Sequence, residues 1–466
     1  MRRIKSGENN IKQGAYIMTP WKMIVEDFGK IKHAEIETAP FMLFVGDNNS
    51  GKSYLLSLLW GIHNIGIDRL IGSTNILETE ESYALENWLM KQIQIAQKKG
   101  KHNVLLSEIH GLLSSVLNDG LKRYKNRLAR WIFNSPDLSI GHIEIEIGDL
   151  SKEVLYFQVE AGKVLIFTDG KHKYGLGKHN WDRIEEPNLK SDIWFLITAI
   201  YSCVLDIDLG YISDGNIYLP AARTGFMLTK DIINKVGRKN TFNIAEEKED
   251  ITPFTRPINQ FLDVMGDLAL EKKGRDEYRG IADNVEETMA EGTVEINMMP
   301  NKEVLYVPQG KKKGMPLRVV SAVVTELSPL ILLLKHRQQL DSFYYEEPEM
   351  CLHPQLQQKM GRILSRIVNA GIDMTVTTHS DIILQHINNM IKLSRHPQCE
   401  ELCKKLGYGK SDLLYPEQIK VYQFESKNNR KTVVRELVCR DNGFVIPTFN
   451  DALDRIMDES YEIQEQ

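Results

Sequence analysis

The sequence predicts an α/β fold: a mixed central sheet, an antiparallel β-subdomain and helical insertions. Three observations predict it. An uninterrupted apolar run, Phe41-Met42-Leu43-Phe44-Val45, lies between Pro40 and Gly46 and reads as a buried central strand. A glycine-bounded loop follows, and then a leucine-rich segment of helical period, Ser53 to Asn64. Residues 139–170 alternate polar and apolar side chains with turn residues between, as an antiparallel β-unit does.

The elements follow in order. Trp21–Asp27 reads as a strand, residues 28–37 as a loop, and Phe41–Val45 as the buried strand. Residues 75–135 are expected to be largely helical, and 191–206 to form a buried helix. Tyr211–Leu219 reads as a strand that ends in the segment PAARTGF. Residues 226–300 are polar and charged and read as a mostly helical surface insertion. A short strand pair over 293–308 precedes a helix from Ser321 to His336, with a kink expected at Pro329. A strand at Phe343–Tyr345, a helix at Pro354–Val368 and a strand at Met374–Thr378 come next. The tail carries strands near 418–426 and 433–440 and a helix near Pro447–Ser460.

Composition narrows the class. At ~100–200 residues per domain, a chain of this length is two to four units or one large domain with insertions. Apolar residues are 42% and charged residues 26%, a globular balance. With 58 Lys+Arg against 63 Asp+Glu, a net charge of −5, a generally basic nucleic-acid coat is excluded. Five cysteines form no disulfide framework and suit a reducing cytoplasm. The apolar stretch Ile193–Leu205 is too short for a bilayer, which needs ~20 residues, so no membrane association is expected. Residues 1–17 read as a polar extension without a signal peptide's apolar core, and Met18 as an alternative start.

Three segments carry chemistry. Gly46-Asp47-Asn48-Asn49-Ser50-Gly51-Lys52-Ser53 matches G-x-x-x-x-G-K-[ST], after a strand and before a helix. Backbone N–H groups from Gly46 through Asn48, Asn49, Ser50 and Gly51 would line one concavity, with the helix dipole behind it. Lys52 would reach the β/γ-phosphates and the Ser53 hydroxyl would bind Mg²⁺. The bland alternative is a glycine-rich turn. In Phe343-Tyr344-Tyr345-Glu346-Glu347-Pro348-Glu349, an apolar strand ends in adjacent carboxylates. Glu346 is the candidate metal ligand and Glu347 the candidate polariser of the attacking water, against a solvated acidic loop. His379 ends the β-branched segment Met374–Thr378, 32 residues after Glu347, with a helix between. In a parallel sheet that spacing returns the chain to the same edge, where His379 would contact the γ-phosphate. A lone histidine is otherwise more often structural.

Together GDNNSGKS, EEPEMCLHPQLQQ and TVTTHS resemble the ABC-type ATPase heads shared by SMC, RecF and overcoming-lysogenization-defect (OLD) proteins. The resemblance covers about 20–66 and 300–390. It implies an ABC-type P-loop ATPase head that binds ATP and Mg²⁺ and hydrolyses ATP slowly. Two protomers would sandwich two ATP molecules, so a homo-oligomer of at least a dimer is implied. Each site would then need a signature segment from the partner. LSGGQ is absent, and the candidate is Val319–Leu327, with Ser321 capping a helix aimed at the opposing γ-phosphate. The implied division is an N-terminal lobe at 18–225 with a helical insertion at about 68–135, the insertion 226–300, and a C-terminal lobe at 301–466. The segment ending at Arg223 resembles a Pro-Ala-x-Arg element of OLD-like and defence ATPases, and Gln158 is a weak candidate for the Q-loop.

The process is less specified than the class. No stretch sustains the heptads of an SMC arm, and the 87 residues after His379 hold no D-x-D of a toprim nuclease. The resemblance is therefore to the stand-alone ATPase subunit of bacterial antiphage systems such as Septu or PARIS, with a separately encoded effector, a nuclease or toxin, as partner. The alternatives are a RecF-like DNA-repair clamp and an ATP-binding scaffold with negligible turnover. Arg123, Arg127 and Arg130 share a helix face that would contact DNA backbones, against a merely solvated face. Lys311-Lys312-Lys313 with Arg318 is a smaller basic cluster of the same ambiguity. His396, Cys399 and Cys403 have near-metal spacing but too few ligands for a zinc site.

Overall fold

The computed structural model describes residues 20–71, 79–160, 163–168, 174–176, 187–205, 207, 215–229, 254–297, 303–426, 431–440, 443–445 and 457–463. The polar extension 1–17, the start of the strand expected from Tyr211 and most of the last expected helix lie outside the described residues.

The chain opens with a hairpin, β1 (Lys22–Phe28) and β2 (Ile31–Glu37). The loop expected over 28–37 is thus a strand. Its turn is tight, with Gly29 at φ 54°, and the charges between Ile31, Ala34 and Ile36 hide its buried side from the sequence pattern. Then come β3 (Phe41–Gly46), buried throughout, and α1 (Lys52–Ile65). A short α2 (Ile67–Leu70) precedes α3 (Glu80–Lys99), which Thr79 and Ser82 start with a reciprocal capping box. β4 (Lys101–Leu105) interrupts the helical region expected over 75–135, and α4 (His110–Phe133) follows. β5 (Ile140–Glu146), β6 (Val154–Glu160), β7 (Lys163–Thr168) and β8 (Tyr174–Leu176) lead to the buried helix α5 (Pro187–Leu205).

The second half begins with β9 (Asn216–Leu219) and the helical residues 223–229, here α6. The helices α7 (Arg256–Gly266) and α8 (Asp276–Val285) come next. β10 (Gly292–Asn297), β11 (Glu303–Pro308) and β12 (Met315–Pro316) form a small antiparallel sheet. α9 (Ala322–His336) holds Pro329 inside it. β13 (Ser342–Glu346), α10 (Pro354–Asn369), β14 (Asp373–Thr377), α11 (Asp381–Arg395) and α12 (Cys399–Leu406) follow. β15 (Ile419–Glu425) and β16 (Thr432–Leu437) end the ordered sequence of strands.

The chain divides into two compact units. One comprises Met1–Thr38, Leu58–Trp131 and Ser135–Ser213; the other comprises Ala39–Ser57, Ile132–Asn134 and Asp214–Gln466. In the first unit, β1 pairs antiparallel with β2 on one side and β5 on the other. The strands β4-β6-β7-β8 form a separate antiparallel sheet. The β-unit expected over 139–170 is therefore shared between two sheets. Buried polar contacts fasten the helices of this unit: Trp21 Nε1 donates to Leu205 O at 3.1 Å, and Tyr201 Oη to Leu113 O at 2.7 Å.

The second unit holds the strand order β16-β15-β3-β14-β13-β9. β15, β3, β14, β13 and β9 run parallel, and β16 is antiparallel. This is a mixed-sheet α/β arrangement, with β3 leading into the glycine-rich loop. Phe41, Leu43 and Val45 face one continuous core with Phe343, Tyr345, Met374, Val376 and side chains of α7 to α11. On the other face Phe44 meets Tyr422 and Phe424, at centroid separations of 5.9 and 5.3 Å. β3 is buried on both faces, which is why its sequence runs apolar without alternation. The reading of 226–300 as a surface insertion is corrected for the described helices: Phe261, Leu262, Tyr278, Ile281 and Val285 are core residues. Each helix is strongly amphipathic, and the charge of its outer face masks the inner one.

Gly46 makes a specific demand on this sheet. It has φ 129°, and a Cβ there would lie 2.4 Å from Phe424 O of β15. Gly371 also has positive φ, 82°, but a Cβ there meets nothing within 4 Å. Gly46→Ala is therefore expected to cost about 3 kcal/mol or more, through backbone strain plus a clash with main chain. Gly371→Ala should cost only about 1 kcal/mol. Urea denaturation midpoints of the two variants measure the difference, and equal losses would contradict the clash.

Candidate active site

β3 delivers the chain to a loop with three residues of positive φ: Gly46, Asn49 (59°) and Gly51 (98°). Alternation of this kind turns successive N–H groups inward, and asparagine tolerates the left-handed region better than most residues. The N–H groups of 47–51 make no hydrogen bond to described protein atoms. α1 starts at Lys52, so its positive end adds to them. Asn48, Asn49 and Ser53 are exposed, and Ser50 is buried.

Lys52 is 5% exposed and folded back on its own loop. Nζ donates to Asp47 O at 2.6 Å, Gly46 O at 3.0 Å and Ser50 Oγ at 3.4 Å. Burial lowers its pKa to about 8, against the opposing charges of Glu347, Asp47 and Glu349. Those interactions place three carboxylates within electrostatic reach of the ammonium.

Strand register brings the other segments to the same level. Glu346 stands opposite Thr377, and Thr377 opposite Phe44. Thr378 N donates to Phe44 O at 3.0 Å, and Glu347 N to Thr377 O at 2.9 Å. Glu347 itself has φ 42°, and its Oε1 lies 3.8 Å from His379 Nε2. Burial, followed by the Lys52 charge, lowers the His379 pKa to about 4, with Asp47 opposing. The imidazole is therefore neutral near pH 7, with one nitrogen able to donate and the other to accept.

Glu346 is buried. Its Oε2 accepts from Ala221 N at 2.9 Å, and it bonds the side chain of Tyr218, whose hydroxyl lies 3.1 Å from Ser57 Oγ. Burial, then the Glu346 charge, pushes the Tyr218 phenol up. Glu346 thus reaches α1 one turn beyond Ser53.

The structure brings Lys52, Glu347 and His379 together, and adds a residue to which the sequence reading gave no role. Glu349 Oε1 accepts from His379 N at 2.6 Å. Burial raises its pKa, and its buried Oε2 has no hydrogen-bond partner. The third acid of EEPE was visible in the sequence, but nothing in its spacing told a buried brace from a solvated loop.

Ser321 stands apart from this cluster. It occupies the N-cap position of α9 and is exposed, yet its side chain makes no capping bond, which corrects the expected cap. Its carbonyl accepts from Thr325 N at 3.2 Å instead. Gln158 sits in β6 and donates to Glu160. Arg123, Arg127 and Arg130 are exposed on α4. Arg318 is paired with Glu303 at 2.7 Å and so leaves the basic cluster of Lys311–Lys313. Cys399 and Cys403 have sulfurs 3.8 Å apart on α12.

Among the described residues no group of three or more His, Cys, Asp or Glu side chains could hold a metal ion. That is compatible with Mg²⁺, which commonly takes one or two carboxylates and completes its shell with substrate phosphates and water. A buried carboxylate at Glu346 and an unpartnered oxygen at Glu349 fit such an ion. Among the described residues no helix is long and apolar enough to cross a membrane.

No family model and no curated protein matches the sequence. Solved SMC head domains are similar in structure. An SMC head bound to the C-winged helix domain of ScpA shares 12% identity over 89% of this chain and 96% of that one, with a TM-score of 0.36. The SMC head domain from Thermotoga maritima shares 11% over 90% and 100%, with a TM-score of 0.32. The Pyrococcus furiosus SMC head with an extended coiled coil, bound to the C-terminal domain of ScpA, shares 14% over 95% and 98%, with a TM-score of 0.33.

The Lys52 pKa has a consequence. A bound phosphate stabilises the ammonium, so above about pH 8 binding must take up a proton. ATP affinity is expected to be level at neutral pH and to fall above pH 8, by up to about tenfold per unit. Lys52→Arg, charged at every accessible pH, should flatten that slope. Fluorescence titration with a labelled ATP across pH 7 to about 9.5 reads both, and identical slopes would contradict it.

Proposed function

We propose that the chain binds and hydrolyses ATP as a slow conformational switch. The observation that carries this reading is the meeting of Lys52, Glu347 and His379 at the carboxyl ends of three adjacent parallel strands. The N–H groups of 47–51 and Lys52 hold the phosphates and neutralise charge that develops on them. Glu347 orients water for in-line attack, and neutral His379 hydrogen-bonds the γ-phosphate. Ser53 and Glu346 are the residues that would hold Mg²⁺, which supplies further charge neutralisation when bound.

The exposed N-terminal end of α9 at Ser321 would meet the nucleotide of a second copy, so that ATP closes a dimer and hydrolysis reopens it. The lobes 18–225, with the insertion at about 68–135, and 301–466 form the head in this reading, with the described helices of 226–300 part of its core. The finer assignment is a cytoplasmic ATPase subunit of a bacterial antiphage complex that controls a separately encoded effector, such as a nuclease. It rests on the resemblance of the three motifs. A RecF-like clamp is the second reading, favoured by the exposed Arg123, Arg127 and Arg130 on α4.

Two variants test the switch. Lys52→Ala should abolish ATP binding. Glu347→Gln should bind ATP within about threefold of the parent but lose turnover by about 100-fold or more. Light scattering after gel filtration should show Glu347→Gln held as an ATP-dependent dimer. Negligible turnover in the parent, with behaviour unchanged in Glu347→Gln, would leave an ATP-binding scaffold, and ATP-dependent duplex binding lost on reversal of the three arginines would favour the clamp.

A further inference from the structure

The described residues of the second unit contain two deeply buried ion pairs. Lys335–Glu286, at 2.6 Å, lies at the far end of α9 and touches none of the site residues. Arg223–Glu326 is different. Arg223 is 1% exposed and Glu326 2%, and the guanidinium Nε lies 2.9 Å from Glu326 Oε2. Burying two charges costs several kcal/mol per ion, so such a pair is a poor device for stability alone.

The remaining donors of Arg223 show what the pair is attached to. Nη1 donates to Glu346 O at 2.6 Å and to Pro220 O at 2.8 Å, and Nη2 to Glu347 O at 3.1 Å. The Nε–H is directed at Glu326 O, 3.4 Å away, so the carboxylate contact is electrostatic and not an aligned hydrogen bond. The ring of Tyr345 lies under the guanidinium, 4.8 Å from centroid to Cζ. Glu326 Oε1 accepts from Thr224 N at 2.8 Å, which fixes the carboxylate against α6. One planar group thus joins the end of β9, the end of β13, the Glu347 peptide and α9.

Glu347 needs such a hold. Its φ of 42° is unfavourable for a non-glycine residue, and such a conformation persists only where the surroundings impose it. Three contacts impose it: Thr377 on the Glu347 N–H, and both Arg223 and the Met350 N–H on the Glu347 carbonyl. The Arg223 clamp is anchored in α9, five residues from exposed Ser321 and so about 7.5 Å along the helix. Ser328 Oγ donates to Val324 O at 2.7 Å, and the apolar core buries this part of α9.

We propose that Arg223 and Glu326 form a positioning relay through which α9 sets the orientation of Glu347. The relay rests on the ATPase reading above, and Arg223 touches no substrate in it. A shift of the N-terminal end of α9, as on contact with a second copy, moves Glu326, then the guanidinium, then the Glu347 peptide. Turnover is thereby tied to closure, while phosphate binding at 46–53 stays outside the relay.

The test is a cycle of Glu326→Gln, Arg223→Lys and their combination in the full chain, with ATP affinity, KM and kcat measured. Glu326→Gln keeps the shape and the acceptor for Thr224 N, and Arg223→Lys keeps the charge but loses the fork. Each is expected to lower kcat, by about 10-fold and up to about 100-fold, with KM and ATP affinity within about twofold. The double variant should be no slower than the worse single, since both act through one contact. A kcat for Glu326→Gln within twofold of the parent overturns the relay, as do multiplying effects or affinity that falls in step with kcat. If Arg223→Lys does not fold, Glu326→Gln decides alone. The parent and Glu347→Gln are run alongside: parent turnover that does not depend on Glu347 sinks the ATPase reading and the relay together, whereas a normal parent with a normal Glu326→Gln sinks only the relay.

Discussion

Three parallel strands in register hold the site together. β13, β14 and β3 are fastened so that Glu346, Thr377 and Phe44 stand side by side. Two backbone bonds continue the pairing just past the strand ends, Glu347 N to Thr377 O and Thr378 N to Phe44 O. Segments some 300 residues apart in sequence therefore leave the sheet at one level, facing the same loop. A slip of one residue in either pairing would move Glu347 or His379 by about 3.3 Å and turn its side chain to the other face. The register is pinned by burial: Phe41, Leu43 and Val45 must face the same core as Phe343, Tyr345, Met374 and Val376.

The electrostatics depend on that arrangement. Lys52 is a buried cation with nearby carboxylates, yet burial still outweighs them and brings its pKa down to about 8. The same ammonium helps to keep His379 neutral. Glu349 is desolvated and hydrogen-bonds the His379 backbone, so it braces the histidine while one oxygen stays unpartnered. The Lys52 ammonium is folded onto the carbonyls of Gly46 and Asp47 of its own loop.

Much of this was legible in the sequence, and the misses share a cause. The apolar strands β3, β13 and β14 and the helices between them were readable because both faces of the sheet are buried, so their patterns are dense. β2 and β4 were not: each carries charged or exposed positions that break the alternation, as in KHNVL with its partly buried His102 and Val104. α7 and α8 hid core faces behind charged ones. At the site, Lys52, Glu347 and His379 belong to three short motifs that are readable in the sequence. Arg223 and Glu349 act through backbone groups, and a backbone carbonyl has no residue signature. Ser321 shows the converse: a good capping residue at the right position whose side chain makes no cap.

Of the six described non-glycine residues with positive φ in the second unit, four border the candidate site, and Asn134 and Glu291 lie elsewhere. Asn49, Ala222, Glu347 and Cys351 all have positive φ without being glycine, and all lie in the loops that end β3, β9 and β13. Such residues cost about 1–3 kcal/mol each, so their clustering has to be offset by surrounding structure. The offset is visible in what borders them: Ala222 N against Met350 Sδ at 3.1 Å, Glu347 held at both ends of its peptide, and Arg223 buried between them. Strain at Ala222 and strain at Glu347 are thus bound to the same guanidinium. Arg223 therefore ties the acidic loop to α9, whereas the glycine-rich loop follows β3 and packs against β15.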